Sequence, residues 1–245
     1  MKMVLFIIMA ITLILFVYVT FFSDFGYDKT NNRLNINNTQ NEIVKDYDGN
    51  KYHTVKIGNQ VWMTENLRST HYIDGTTIKG VSIYDNDEKN IEKYGRLYQW
   101  EAIVNPSGLC PEGWHIATDE EWKTLEKALG MSNTEANSTG WRKTVNESTN
   151  LKKFERAYFW NNKKRKEINI SGFSAVPSGA RTRRDLILPF WGGGRYADYW
   201  TATENRSSEA WNRSLVWLPL HLGSSKVFRG SLNKEFGFSI RCVKD

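Results

Sequence analysis

Cysteine is scarce in this 245-residue chain, which has two, alongside five prolines and four histidines. Two cysteines cannot build a disulfide-dense scaffold or a four-thiolate metal site, and so few prolines exclude a proline-rich spacer protein. The histidines, His53, His71, His115 and His221, stand apart with no HExxH or HxH spacing, so no zinc-ligand motif is present. What the chain does have is 40% hydrophobic and 24% charged residues, a mean hydropathy of -0.54, and ten tryptophans within a 13% aromatic share. That is enough to bury one sizeable core or two small ones.

The first 44 residues change character twice. Met3 to Phe22 contains no charged residue. Nineteen residues from Val4 make roughly 28 Å of helix, close to the ~30 Å hydrocarbon core of a bilayer. The segment reads as an uncleaved membrane anchor, with a cleaved signal peptide as the alternative, because bulky Tyr18, Val19, Phe21 and Phe22 crowd the place where a signal needs small residues. Lys2 precedes it while Lys29 and Arg33 follow, so the positive-inside signal is weak, and an outward-facing C-terminal part is expected. Residues 24–43 are polar and rich in asparagine, too poor in apolar side chains to offset the entropy of ordering, and read as a linker. Asn37-Asn38-Thr39 fits an N-glycosylation pattern that an Asn-rich composition produces easily.

From residue 44 to 245 the pattern is that of one folded domain. Asp48-Gly49 and Gly58-Asn59 are turn signals in quick succession, which predicts two hairpins, with Val55 and Ile57 on the apolar face of the strand between them. Thr118-Asp-Glu-Glu121 is a capping box, followed by Trp122, Leu125 and Leu129 at helical spacing and by Gly130 as terminator. After Ser171 the chain returns to short strands and glycine-rich turns without βαβ alternation, so the class is α+β with long loops. In an exported domain an even pair of cysteines reads as one bridge, Cys110 to Cys242, with two buried free thiols as the alternative.

Several long stretches carry a resemblance. DYDGNKYHTVKIGNQVWMTENLR from Asp46, YGRLYQW from Tyr94, GLCPEGWHIATDEEW from Gly108, ISGFSAVPSGAR from Ile170 and GFSIRCVKD from Gly237 closely resemble the Fibrobacter succinogenes major paralogous domain. The resemblance spans Asp46 to Asp245. It implies an exported bacterial domain of a family with no established activity, similar in turn to the C-type-lectin-like fold, where a cysteine ahead of a helix is bridged to one in the final strand. Relatives with a further cysteine pair have it around the YDND segment, where this chain carries Ser82 and Ile91, so a second bridge is not expected.

No residue set names a reaction. Asp85, Asp87 and Asn90 lack the glycine and glutamate that would complete a calcium loop and read as a polar turn. The EPN and WND motifs of calcium-dependent sugar-binding lectins do not occur, since Trp211-Asn212 is followed by Arg213. Glu120 and Glu121 point in different directions on a helix, and Ser171-Gly-Phe-Ser174 lacks the GxSxG elbow. The expectation is no catalytic residue, no metal and no cofactor.

Charge is informative by its position. Between Trp141 and Arg184 there are 12 Lys and Arg against 3 Asp and Glu, while the whole chain has a net charge of only +6. Lys163, Lys164, Arg165, Lys166, Arg181, Arg183 and Arg184 are therefore the candidate anionic-ligand residues, against the plainer reading of a solvated loop. An exported domain meets anionic glycans or envelope components, so no nucleic-acid partner is expected. Trp191, Trp200, Trp211 and Trp217 are a second candidate surface, for stacking on a sugar, with core packing as the competing role. The leading expectation is a membrane-tethered, extracytoplasmic, non-enzymatic binding or interaction module. The rivals are an envelope-acting enzyme and a purely structural surface protein.

Overall fold

The computed structural model describes residues 42–142, 171–182, 188–216 and 226–245. The expected membrane segment, most of the linker, Lys163 to Lys166, Arg183, Arg184, Trp217 and His221 lie outside the described residues. Among the described residues, no helix is long and apolar enough to cross a membrane.

The strands in chain order are β1 (Ile43–Lys45), β2 (Lys51–Ile57), β3 (Gln60–Met63), β4 (Val81–Ser82), β5 (Leu97–Gln99), β6 (Trp114–Ile116) and β7 (Gly140–Arg142), then β8 (Ala180–Arg181), β9 (Phe190–Trp191), β10 (Tyr196–Arg206), β11 (Glu209–Val216), β12 (Lys226–Asn233), β13 (Gly237–Phe238) and β14 (Cys242–Lys244). The helices are short: α1 (Lys89–Tyr94), α2 (Trp100–Ile103), α3 (Asp119–Ala128) and α4 (Asn133–Asn137). The described part is thus mostly β-sheet with few helices, an α+β arrangement. Its strands form three antiparallel sheets, ordered β1-β2-β3-β14-β6, β10-β11-β12-β7 and β4-β5-β13-β8-β9.

Both expected hairpins form. Asp46 closes the first, accepting from Asn50 N at 2.9 Å and Asn50 Nδ2 at 2.8 Å. Gly58, at φ +62°, turns the second where a Cβ would come within 2.9 Å of Ala128 Cβ, so only glycine suits the site. The strand between them differs from the expected single apolar face. Tyr52 and Thr54 are buried on one side, Val55 is half-buried, and Ile57 is buried on the other. The physical reason is that the sheet lies between two cores. Tyr52 packs in a cluster with Met63, Trp100, Trp200 and Phe238, whereas Ile57 belongs to one built on Trp62, Trp122, Phe173 and Tyr199.

Helix α3 starts as its sequence dictates. Thr118 Oγ1 accepts from Glu121 N at 3.2 Å, and Glu121 Oε2 accepts from Thr118 N at 2.8 Å. Trp122, Leu125 and Leu129 are all buried, and Gly130 adopts φ +106° just after the helix. Cys110 and Cys242 are disulfide-bonded, with a Cα separation of 6.0 Å, tying the segment ahead of β6 to β14.

Candidate functional site

Two of the sequence candidates, Arg181 and Trp191, lie on one small hairpin. Arg181 in β8 pairs with Phe190 in β9, and Ala180 with Trp191. Arg181 is half-buried, while Trp191 is 41% exposed and its ring stacks on Tyr196 at 5.0 Å between centroids. The hairpin is positioned by Tyr84, whose ring packs 5.5 Å from Phe190 and whose hydroxyl accepts from Gly193 N at 3.2 Å. A Cβ on Gly193 would lie 2.2 Å from that ring, so the glycine-rich turn exists to let the tyrosine in. Leu188, 65% exposed, adds apolar surface at the same hairpin. In this register Arg181 shares one face of the hairpin with Phe190 and Trp191 shares the other with Ala180, so one face offers a basic group for an anion and the other an exposed indole for a ring or sugar face.

The other tryptophans do different work. Trp200 is buried and donates from Nε1 to Tyr98 O at 3.0 Å. Trp211 lies under the Arg229 guanidinium, 4.0 Å from ring centroid to Cζ. Neither is a free stacking surface.

The three described histidines each find a carboxylate. His53 Nδ1 lies 2.7 Å from Glu65, and His71 Nδ1 lies 2.5 Å from Asp48. His115 is bound on both sides, by Asp245 at Nδ1 and Glu121 at Nε2. Burial works against the imidazolium there, but the two carboxylates outweigh it and raise the His115 pKa above its usual 6.5. Glu121 is thereby shared between the helix cap and His115, and Glu120 pairs with Lys123. Asp87 Oδ1 accepts from Lys89 N, and Asn90 Nδ2 donates to Tyr84 O, so the Asp85 to Asn90 segment is a self-bonded polar turn. Among the described residues, no group of three or more His, Cys, Asp or Glu could hold a metal ion.

Sequence reasoning missed the charges inside. Glu126 of α3 pairs with Arg142 of β7 at 2.5 Å and Arg213 of β11 at 2.8 Å, and Asp119 pairs with Arg213 at 2.8 Å and Arg229 of β12 at 2.6 Å. All five side chains are buried. Burial alone would push the Asp119 carboxyl up, yet Arg229 and Arg213 hold it down at about 2. Arg142, counted in the basic stretch, is therefore an internal tie. Arg241 is buried as well, and it is matched by acceptors instead of an acid: Asn66 Oδ1 at 2.8 Å and the carbonyls of Met63, Phe173 and Ser174 at 2.9, 2.5 and 2.8 Å. The one available signal was charge at core-facing positions of the capped helix, Asp119 and Glu126, where an amphipathic pattern calls for apolar residues.

Three antiparallel sheets around two cores, pinned by one disulfide, define an α+β domain class. Residues 55–244 match the Fibrobacter succinogenes major domain, and the chain belongs to that family. No curated protein and no solved structure matches the chain.

Proposed function

We propose that this protein is a membrane-tethered binding module, held by Met3 to Phe22 and exposed outside the cytoplasm, with a C-type-lectin-like arrangement and no catalytic role. The observation that carries the reading is that the short β8–β9 hairpin carries both Arg181 and the exposed ring of Trp191, one basic and one aromatic side chain. The Cys110–Cys242 bridge supports the location, since disulfides persist in oxidising compartments. The ligand chemistry is an anionic glycan or envelope component, engaged by Arg181 together with Lys163 to Lys166, Arg183 and Arg184.

The test is a binding screen of the full chain, detergent-solubilised, against neutral and anionic glycans with and without calcium. Saturable binding without product, weakening as salt rises past the ~8 Å Debye length of physiological buffer, is expected. Arg181→Ala and Trp191→Ala should each weaken it, and reversing Lys163 to Lys166 to Glu should abolish it. Binding indifferent to salt and to all three changes would move the site elsewhere. Product formation would replace this reading with the enzyme.

A further inference from the structure

One buried polar cluster is used by neither the fold's ion pairs nor the hairpin surface. Asp198 of β10 faces Ser214 of β11 in register, and Asn212, two residues along, shares that face of the sheet. Asp198 is 1% exposed, Asn212 0% and Ser214 8%. The hydrogen bonds run in one direction. Asn212 Nδ2 donates to Ser214 Oγ at 3.4 Å, and Ser214 Oγ donates to Asp198 Oδ1. Among the described residues, two acceptors then remain without a partner, Asp198 Oδ2 and Asn212 Oδ1. Two buried acceptors on one face of a sheet are costly unless a donor satisfies them. The burial of all three residues keeps large ligands out, and the smallest donor is a proton.

We propose that Asp198, Ser214 and Asn212 form a buried proton-binding site in which Asp198 takes a proton from solvent on Oδ2 and, as a neutral acid, donates it to Asn212 Oδ1. The ring then closes: each of the three side chains donates once and accepts once, and no charge is left inside. Loss of the proton reopens the ring and leaves a carboxylate with a single hydroxyl partner between β10 and β11. The domain is thereby tightened in mildly acidic surroundings and loosened in neutral ones.

Among the described residues, the charges of the elements around β10 do not supply a counter-ion. Arg213 of β11 is paired with Asp119 and Glu126 of α3, on the side of the sheet shared with Tyr199, and Lys123 of α3 pairs with Asp119 and Glu120. Glu209 of β11 accepts from Ser231, Glu101 of α2 is exposed, and Arg241, beyond β13, is bonded to Asn66 and backbone carbonyls. β8 contributes Arg181, half-buried, and β10 itself Tyr196. What acts on the carboxyl is burial, which pushes its pKa up to about 6, opposed by the Ser214 hydroxyl. Because the folded value lies above the ordinary 3.8, the folded state binds the extra proton, and stability falls as pH rises from about 4 through about 6.

The experiment compares the pH dependence of urea unfolding for the oxidised full chain and for Asp198→Asn, whose amide can donate to Asn212 Oδ1 at every pH. Between pH 4 and pH 7 the wild type should lose roughly 100-fold more in its folding equilibrium constant than the variant, the factor that follows from a shift of about two pH units. Parallel curves would overturn the proposal. Carboxyl 13C resonances of Asp-labelled wild type give the answer independently of whether the variant folds. A resonance assigned to Asp198 that titrates near pH 6 supports the site, and one already ionised at pH 4 removes it.

Discussion

His115 and Arg241 illustrate how single side chains hold the end of this domain. Each ring nitrogen of His115 meets a carboxylate oxygen, which only accepts, so the geometry calls for the doubly protonated imidazolium. The sign follows from linkage: the folded pKa lies above 6.5, so this stabilisation is complete below pH 6.5 and is lost as pH rises through the folded value. Titration of the His115 ring by proton NMR should give a midpoint above 6.5, and Asp245→Asn should bring it down. An unshifted midpoint in that variant would show that the carboxylate contributes nothing. Arg241 is a sharper case, because four acceptors depend on one guanidinium. Arg241→Lys offers a point charge that cannot span them. Stranding even two buried acceptors at about 1–3 kcal/mol each should cost on the order of 3 kcal/mol in urea denaturation. A loss under 0.5 kcal/mol, the range of ordinary surface changes, would contradict the clamp.

Among the elements, α3 joins an aromatic core to a buried ion-pair network. One face packs Trp122 and Leu125 against Trp62 and Phe173. Asp119 and Glu126 bind it to the sheet of β7, β11 and β12 through three arginines. Thr118→Ala removes the cap and should cost about 1 kcal/mol, read as a lowered urea midpoint at unchanged slope. A change in slope instead would mean that the unfolded or folded ensemble had altered. The cap and both hairpins were legible in the sequence because their causes are local: a threonine three residues before a glutamate, a glycine after an aspartate. The ion-pair network was not. Its partners come from strands far along the chain, Arg229 lying 110 residues beyond Asp119, and no local pattern announces such a match. The same limit applies to the candidate site. Arg181 and Trp191 were each visible by type, but only the β8–β9 pairing shows that they share one hairpin.

At the scale of the molecule the disulfide closes a loop of 132 residues. The chain-entropy account gives on the order of 5 kcal/mol for a loop of that length, as an upper figure. Reduction should therefore lower the urea midpoint strongly, and thiol labelling of the unfolded, unreduced protein should find no reactive cysteine. Labelling of both would remove the bridge from the account. The bridge ends on β14, which pairs on one side with β3 and on the other with β6. The last strand of the domain is thus a middle strand of its sheet, and the gap it fills stays open while every earlier strand is made. During synthesis β3 and β6 wait unjoined for a segment that emerges after every other described strand, and this sheet is completed only once β14 has been released.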